Sequence, residues 1–168
     1  MNITHRAMTP EDEPFLHELY IETIAGEVAA WAWPEPMRAD LLEMQYRARM
    51  ASFDNYAGAA REIILADGDP VGFRLVAHRN DHIHVVDLAI LTRERGKGIG
   101  TATLEDLLSG ARRTGCPVRL NVRITNPAIR LYERLGFRRT GGNEVQHFLE
   151  AASPATGRCL ESQSPTSG

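Results

Sequence analysis

The chain has 168 residues, of which 43% are hydrophobic and 24% charged, the composition of an ordinary globular protein with one core. No apolar run approaches the roughly 20 residues of a membrane span. The first six residues lack the apolar segment of a secretion signal, so we expect a cytoplasmic protein without a membrane partner. Cys116 and Cys159 give neither a disulfide framework nor metal-ligand spacing, so we expect no metal.

The charge is divided unevenly along the chain, although the net charge of −3 is too small to suggest a nucleic acid partner. Residues 1–92 hold 15 acids and 7 bases, whereas residues 93–168 hold 7 acids and 12 bases. The later part is therefore expected to face an anionic ligand. Lys97, the only lysine, lies inside a glycine cluster, which makes it harder to interpret as ordinary solvated surface.

The first third of the chain predicts two helices. Thr9 and Pro10 indicate a helix start, and apolar residues recur at helical spacing as far as Ile24. Pro14 is expected to delay the regular helix by a few residues. The Trp31–Pro36 segment ends this helix, and a second helix is predicted over about 38–50.

Three strands follow, over about 62–66, 71–76 and 82–91, and the short turns between them predict an antiparallel meander. A loop then leads to a helix over about 98–114. The remaining predicted elements are a strand over 117–124, a helix capped by Asn126 and Pro127, and a final hairpin of 137–140 with 146–149.

The order of these elements predicts a mixed α/β sheet in one domain. The meander makes its first part antiparallel, and the later strand–helix–strand segment requires a parallel pair in the middle, with helices on both faces. We expect this domain to cover residues 1–152. Residues 153–168 are rich in Ser, Thr, Pro and Gly and are predicted to form a flexible tail.

The loop between the third strand and the third helix predicts a phosphate site. Its glycines let backbone N–H groups approach a ligand closely, and the first N–H groups of a helix bind phosphate oxygens. The candidate residues are Arg95, Gly96, Lys97, Gly98, Ile99, Gly100 and Thr101. A Walker loop is absent, and Thr101 stands where a dinucleotide fingerprint needs glycine. The alternative is a glycine-rich connection with incidental charge.

Two motifs resemble the GNAT superfamily of acyl-CoA N-acyltransferases. The family pattern Gln/Arg-x-x-Gly-x-Gly/Ala is met by the six residues from Arg95 to Gly100. A second pattern, Asn-Pro-Ala-x-x-Leu-Tyr-Glu-x-x-Gly-Phe, is met by the twelve residues from Asn126 to Phe137. Here the asparagine lies six residues before Tyr132, whereas many members place it seven residues before the tyrosine.

The resemblance implies a GNAT-like fold and acetyl-CoA as cosubstrate. It places pyrophosphate on the glycine loop and pantetheine along the backbone of Leu88, Ala89 and Ile90, with Asn126 as a further cofactor-binding residue. It makes the phenol of Tyr132 the proton donor to the departing sulfur, since a phenol is protonated at neutral pH. The alternative is that Tyr132 is only a core aromatic.

The general base stays open among His82, His84 and Asp87 on the strand before the loop, with His84 and Asp87 as the chosen candidates. Histidine titrates near neutrality, whereas an aspartate in an apolar strand needs a partner or a raised pKa. The alternative is that both histidines are exposed residues at the start of the strand and Asp87 bonds to neighbouring backbone. His84 and Asp87 point to opposite faces of the strand.

The function implied is transfer of an acetyl group to a primary amine of a small molecule or peptide by direct attack in a ternary complex. A non-catalytic acyl-CoA-binding domain and a site for another nucleotide are the alternatives. Trp31, Trp33 and Glu35 are candidates for the acceptor site, unless both tryptophans pack in the core. A terminal strand that pairs between chains makes a homodimer possible.

Overall fold

The computed structural model describes residues 1–153 and Cys159. Seven strands form one sheet in the order β1-β2-β3-β4-β5-β7-β6, antiparallel except for the β4–β5 pair, with helices flanking it. The mixed fold predicted from the sequence is therefore confirmed. The strands are β1 Ile3–Ala7, β2 Ala60–Ala66, β3 Asp69–His78, β4 Ile83–Ile90, β5 Val118–Arg123, β6 Arg138–Gly142 and β7 Gln146–Ala151.

Four α-helices accompany the sheet, and no helix among residues 1–153 is long and apolar enough to cross a membrane. They are α1 Glu13–Glu27, α2 Met37–Phe53, α3 Ile99–Thr114 and α4 Ile129–Arg134. Short 3-10 turns over Pro10–Asp12 and Thr92–Glu94 precede α1 and α3. The regular helix begins only at Glu13, after the 3-10 turn, which agrees with the expected delay. Pro14 lies in the first turn of α1, where a missing N–H costs nothing.

The chain divides into two compact units, and β3, β4 and α3 contribute residues to both. The first consists of Met1–Leu75 with Asp87–Gly100, and the second of Val76–Val86 with the chain from Thr101 onward.

The first unit begins with a strand that the sequence analysis missed. β1 pairs antiparallel with β2, in a register that joins Ile3 to Ala66 and Ala7 to Glu62. The strand contains His5 and Arg6, so it lacks the apolar alternation that predicts a half-buried strand. Its stability comes from pairing with β2 and not from its own composition.

The core of this unit contains a cluster of three aromatic side chains, one each from α1, α2 and β3. Tyr20 makes edge contacts with Phe53 and Phe73, at centroid distances of 5.9 and 6.1 Å. Phe53 and Phe73 stack at 6.0 Å. Tyr20 and Phe73 are at most 1% exposed, so this group fixes both helices against β3.

In the second unit, β4 and β5 form the parallel pair through Ile83, His84 and Val85, which lie opposite Val118, Arg119 and Leu120. β7 pairs antiparallel with both β5 and β6. The predicted hairpin thus exists as β6 and β7, with β7 placed beside β5.

Cys116 and Cys159 form a disulfide across 43 residues of sequence. The sequence analysis expected none from two cysteines, because their spacing carries no framework pattern. Apart from Ser153 and Cys159, the predicted flexible tail lies outside the described residues.

Asp12 links the missed strand to the start of α1. Its buried carboxylate accepts two bonds of 2.7 Å from the Arg6 guanidinium and one of 2.8 Å from the Thr9 N–H. The hydrogen bond and charge of Arg6 hold the pKa of Asp12 far below its usual range, because burial opposes them only in part.

We expect Asp12→Ala to lower the free energy of unfolding by about 2 kcal/mol at pH 7, since it removes the charge-assisted bonds from Arg6 and the bond from the Thr9 N–H in the capping box of the 3-10 turn. A depressed pKa contributes stability above the unfolded value of about 3.9 and loses it as the pH falls further. The difference from wild type should therefore shrink below about pH 4. Urea unfolding at several pH values measures it. Asp40→Ala, at an exposed position in the first turn of α2, is the control, and an equal effect there would contradict the assignment.

Candidate active site

The glycine loop has a backbone conformation that favours glycine. Gly96 and Gly98 have φ values of +77° and +85°, which side chains rarely adopt. Both are exposed, and a Cβ built at either position would meet no atom within 4 Å. The loop therefore presents uncovered main chain where α3 begins.

Ile99 anchors the first turn of α3. Its side chain is 1% exposed and packs in a cluster with Ile64 and Val71, against which Leu88 and Ile90 also lie. Ile99 was predicted to bind the cofactor, but its side chain belongs to the core. Only its main chain is available to a ligand.

The two cations of the loop have protein partners. Arg95 donates through Nε to the carbonyl oxygen of Ile90, at 3.0 Å. Lys97 lies 2.9 Å from a carboxylate oxygen of Glu94, three residues earlier. Both side chains remain exposed, so the pairs are weak and can be exchanged for a ligand.

Carboxylates of α1 hold the turn that precedes the loop. Glu22 accepts the backbone N–H of Thr92, and Glu18 pairs with Arg93 at 3.0 Å. The predicted excess of negative charge in the first half is thus used in part to position the loop.

The strand before the loop approaches a glycine that sequence reasoning missed. A Cβ built on Gly72 in β3 would lie 2.5 Å from the carbonyl oxygen of Ala89, and 3.2–3.3 Å from carbon atoms of Ile64 and Ile90. Glycine at this position therefore lets β4 lie close to β3 along Ala89 and Ile90. A single glycine in a strand gives no sequence signal for the particular backbone atom that it approaches.

Asp87 lies in the first unit and bonds to a phenol. The hydroxyl of Tyr20 donates to Oδ2 of Asp87, 67 residues later in the chain. Asp87 also accepts a hydrogen bond from the backbone N–H of Leu88, so the expected contact with neighbouring backbone is present beside the bond from Tyr20. Burial raises the pKa of the Asp87 carboxyl, although the bond from Tyr20 and the charge of Arg49 act in the opposite direction.

His84 lies in the second unit, half-buried, with its ring in edge contact with that of His82 at 6.0 Å. Burial, followed by the nearby His82, Arg79 and Arg119, lowers the pKa of His84. The imidazole is therefore neutral at pH 7, which keeps it available as a base but reduces its basicity.

Tyr132 also lies in the second unit, in α4. It is 9% exposed and its ring meets that of Phe137 edge-on at 5.7 Å. Asn126 precedes the helix, and its side-chain oxygen accepts the backbone N–H of Ala128 at 2.9 Å. Asn126 therefore shapes the turn before α4, but the N-cap of this helix is Ala128, so the predicted cap at Asn126 and Pro127 is wrong.

The tryptophans between α1 and α2 lie on the surface. Trp31 is 51% exposed and Trp33 is 45% exposed, so the alternative that both pack in the core is wrong. Glu35 is exposed as well.

A comparison with family models decides the identity of the fold. Residues 13–137 match the model described as the acetyltransferase (GNAT) family. The chain belongs to the GNAT family of acetyltransferases. Members use acetyl-CoA as cosubstrate, and the open glycine turn of this chain fits an anionic group of that kind.

A curated relative adds a more specific likeness. Streptothricin acetyltransferase from Streptomyces lavendulae is 36% identical over 103 residues in an alignment that covers 53% of this chain and 54% of that protein. The matched part of the GNAT chain thus spans about half the length of this relative.

Solved structures support the fold of this GNAT protein. The PaiA N-acetyltransferase of Thermoplasma acidophilum, crystallised with coenzyme A, has a TM-score of 0.70 at 18% identity, over 90% of this chain and 99% of that chain. The ribosomal-protein-S18-alanine N-acetyltransferase of Escherichia coli has a TM-score of 0.64 at 21% identity, over 95% and 99%.

We expect Gly72→Ala to lower the free energy of unfolding by about 1–3 kcal/mol, because the new methyl group meets a backbone oxygen that cannot easily move. If β4 shifts instead, the binding of acetyl-CoA should weaken. Calorimetric unfolding and titration measure both effects. Gly26→Ala in α1 is the matched control, since its Cβ meets nothing within 4 Å and alanine favours a helix. A Gly72→Ala protein with wild-type stability and affinity would show that the close approach is unimportant.

Proposed function

We propose that the protein is an N-acetyltransferase that moves an acetyl group from acetyl-CoA to a primary amine of a small molecule or peptide. Direct attack in a ternary complex is proposed because no nucleophilic side chain accompanies the loop motif. The observation that carries the proposal is the exposed turn of Gly96 and Gly98 at the start of α3, in a chain of an acetyltransferase family.

In this proposal, the pyrophosphate of acetyl-CoA is bound by backbone N–H groups of the loop. Gly96, Gly98 and Gly100 leave the main chain accessible, and the first N–H groups of α3 lack partners within the helix. Arg95 and Lys97 add positive charge once their present partners are exchanged, and Thr101 adds a hydroxyl. Ile99 contributes its main chain only.

Pantetheine is proposed to run along Leu88, Ala89 and Ile90, and Asn126 is kept as a further cofactor contact. The parallel pairing of β4 with β5 joins Ile83–Val85 to β5, and these residues precede Leu88 in the strand. Polar main-chain groups of a strand can bind an extended amide chain as another strand would.

The chemistry requires a proton to leave the amine and another to reach the sulfur. The amine nitrogen attacks the thioester carbonyl carbon, so a C–N bond forms and the C–S bond breaks. Tyr132 gives its phenolic proton to the departing thiolate. His84 or Asp87 accepts the proton of the amine, and a backbone N–H near Ile90 stabilises the developing charge on the carbonyl oxygen.

The acceptor is proposed to be a cationic amine. Exposed Trp31 and Trp33 offer aromatic faces, and Glu35 offers a carboxylate in the same segment. Residues 1–92 carry a net charge of −8, the difference between 7 bases and 15 acids. The name of the curated relative places streptothricin in the panel of amines to be tested.

Thiol release from acetyl-CoA should occur with at least one member of a panel of amines, polyamines, aminoglycosides, streptothricin and peptides. Tyr132→Phe should lower kcat by about 100-fold or more, because the sulfur then leaves without a positioned proton donor. Affinity for acetyl-CoA should remain, since the substitution removes one hydroxyl only.

The control for this test is Tyr46→Phe, which removes the phenolic hydroxyl that donates to Glu13 on the surface. The Tyr46→Phe protein should have the same kcat as wild type. A wild-type protein that binds acetyl-CoA but acetylates no amine would favour a non-catalytic acyl-CoA-binding domain, and stronger binding of ATP or NAD would exclude the proposed cosubstrate.

Gly98→Glu should weaken acetyl-CoA binding by about 100-fold, because it places a bulky negative side chain where the diphosphate is proposed to lie. Isothermal titration measures this change. The positive φ also predicts a loss of stability of about 1 kcal/mol.

Gly58→Glu separates these two effects. Gly58 has a φ of +76°, close to the +85° of Gly98, and a Cβ there also meets nothing within 4 Å. The backbone penalty is thus matched in a turn outside the loop. Equal losses of acetyl-CoA affinity in the two variants would reject the glycine loop as the diphosphate site.

A further inference from the structure

A carboxylate and a phenol are joined inside the first unit. Tyr20 is 0% exposed and donates its hydroxyl to Oδ2 of Asp87, which itself is partly exposed. The pair therefore joins a fully buried phenol to a carboxylate on a residue that keeps only part of its surface exposed.

The ring of Tyr20 is surrounded mostly by aromatic side chains, so burying its hydroxyl costs free energy of solvation. Phe53 and Phe73 pack on the ring of Tyr20, and a phenylalanine at position 20 would keep these contacts. A hydroxyl in such a place needs a partner, and a carboxylate loses solvation when it is buried. The pair is thus poorly explained by stability alone.

Charged groups from two helices surround this pair. The guanidinium carbon of Arg49 in α2 lies 5.7 Å from the centroid of the Tyr20 ring, and Arg49 pairs with Glu27 of α1 at 2.9 Å. Arg49 lowers the pKa of Asp87 and Glu27 raises it, while the backbone N–H of Leu88 on β4 lowers it. The ionisation of Asp87 is therefore set by groups from α1, α2 and its own strand.

We propose that Tyr20 is a positioning residue, which orients Asp87 so that its carboxylate accepts a proton from the acceptor amine. The inference rests on the proposed function and decides between the two candidate bases. The cationic amine first transfers one proton to the Asp87 carboxylate, which frees the nitrogen lone pair to form the new C–N bond. As the C–S bond breaks, Tyr132 protonates the sulfur, and the second proton lost by the nitrogen restores the phenol of Tyr132. The neutral carboxyl of Asp87 returns its proton to solvent after the product leaves.

The direction of the pKa effects agrees with this role. Burial holds the pKa of Asp87 above its ordinary value, which makes the carboxylate a better base than a surface aspartate. The hydrogen bond from Tyr20 opposes this rise, because it stabilises the charged carboxylate. Burial and the proximity of Asp87 raise the pKa of Tyr20, which remains a donor throughout.

The test compares Tyr20→Phe with wild type through the pH dependence of kcat/KM. Loss of the hydrogen bond should move the acid limb to higher pH by about one unit, because a bond to a charged group is lost. A purely structural effect would lower the rate at all pH values without moving the limb. Asp87→Asn should remove the limb and lower kcat by about 100-fold or more.

Tyr46→Phe is the matched control, since Tyr46 also donates from a helix to a carboxylate, that of Glu13, at 2.8 Å. Its profile should coincide with that of wild type. Arg49→Gln is a second variant for the case that Tyr20→Phe does not fold. It should also move the acid limb to higher pH, because the positive charge that lowers the pKa of Asp87 is removed.

A measurement without turnover separates this inference from the proposed function. The carboxyl carbon of Asp87, labelled with ¹³C and assigned through Asp87→Asn, should titrate at higher pH in Tyr20→Phe than in wild type. If wild type acetylates no amine, the proposed function fails, and with it the role of Asp87 as base, whatever the titration shows. If wild type is active but neither the acid limb nor the carboxyl titration moves in Tyr20→Phe, or Asp87→Asn keeps full activity, the positioning role is wrong.

Discussion

The burial of Ile99 against Ile64 and Val71 is the contact on which the candidate cofactor loop depends. A helix that begins on a buried residue has a fixed first turn, because the side chain cannot leave the core without exposing apolar surface. The glycines immediately before Ile99 remain exposed. Core packing thus fixes the end of the loop at Ile99, while the main chain of Gly96 and Gly98 stays accessible.

The other end of the loop is fixed by charge. Glu22 and Glu18 of α1 bind Thr92 and Arg93, so the turn that leaves β4 is tied to a helix far away in sequence. Such exposed pairs contribute little stability individually. Their value here is positional, since they fix where the chain begins its glycine turn.

Ion pairs within the protein change how the uneven distribution of charge along the chain is interpreted. The sequence analysis interpreted the acidic first half as attractive to a cationic amine and the basic second half as attractive to an anion. In the structure, Arg93 and Lys97 of the basic part already face carboxylates. A count of charges along the chain does not distinguish those that pair within the protein from those that act on a ligand.

The sequence predicted the glycine loop because its signal is local. Positive φ at Gly96 and Gly98, and a helix starting at Ile99, follow from neighbouring residues alone. Strand β1 was missed for the opposite reason, since its pairing with β2 lies more than fifty residues away. The close approach of Gly72 to Ala89 likewise depends on how two strands lie together.

The bond between Tyr20 and Asp87 shows the same limit and adds a consequence for function. On the sequence, Tyr20 is one apolar position of an amphipathic helix and Asp87 is one polar residue in an apolar strand. Each has an ordinary explanation by itself, and only the fold joins them across 67 residues. Two polar groups in apolar surroundings that bond to each other are better evidence for a site than either residue alone. If packing were their purpose, apolar side chains could replace both Tyr20 and Asp87.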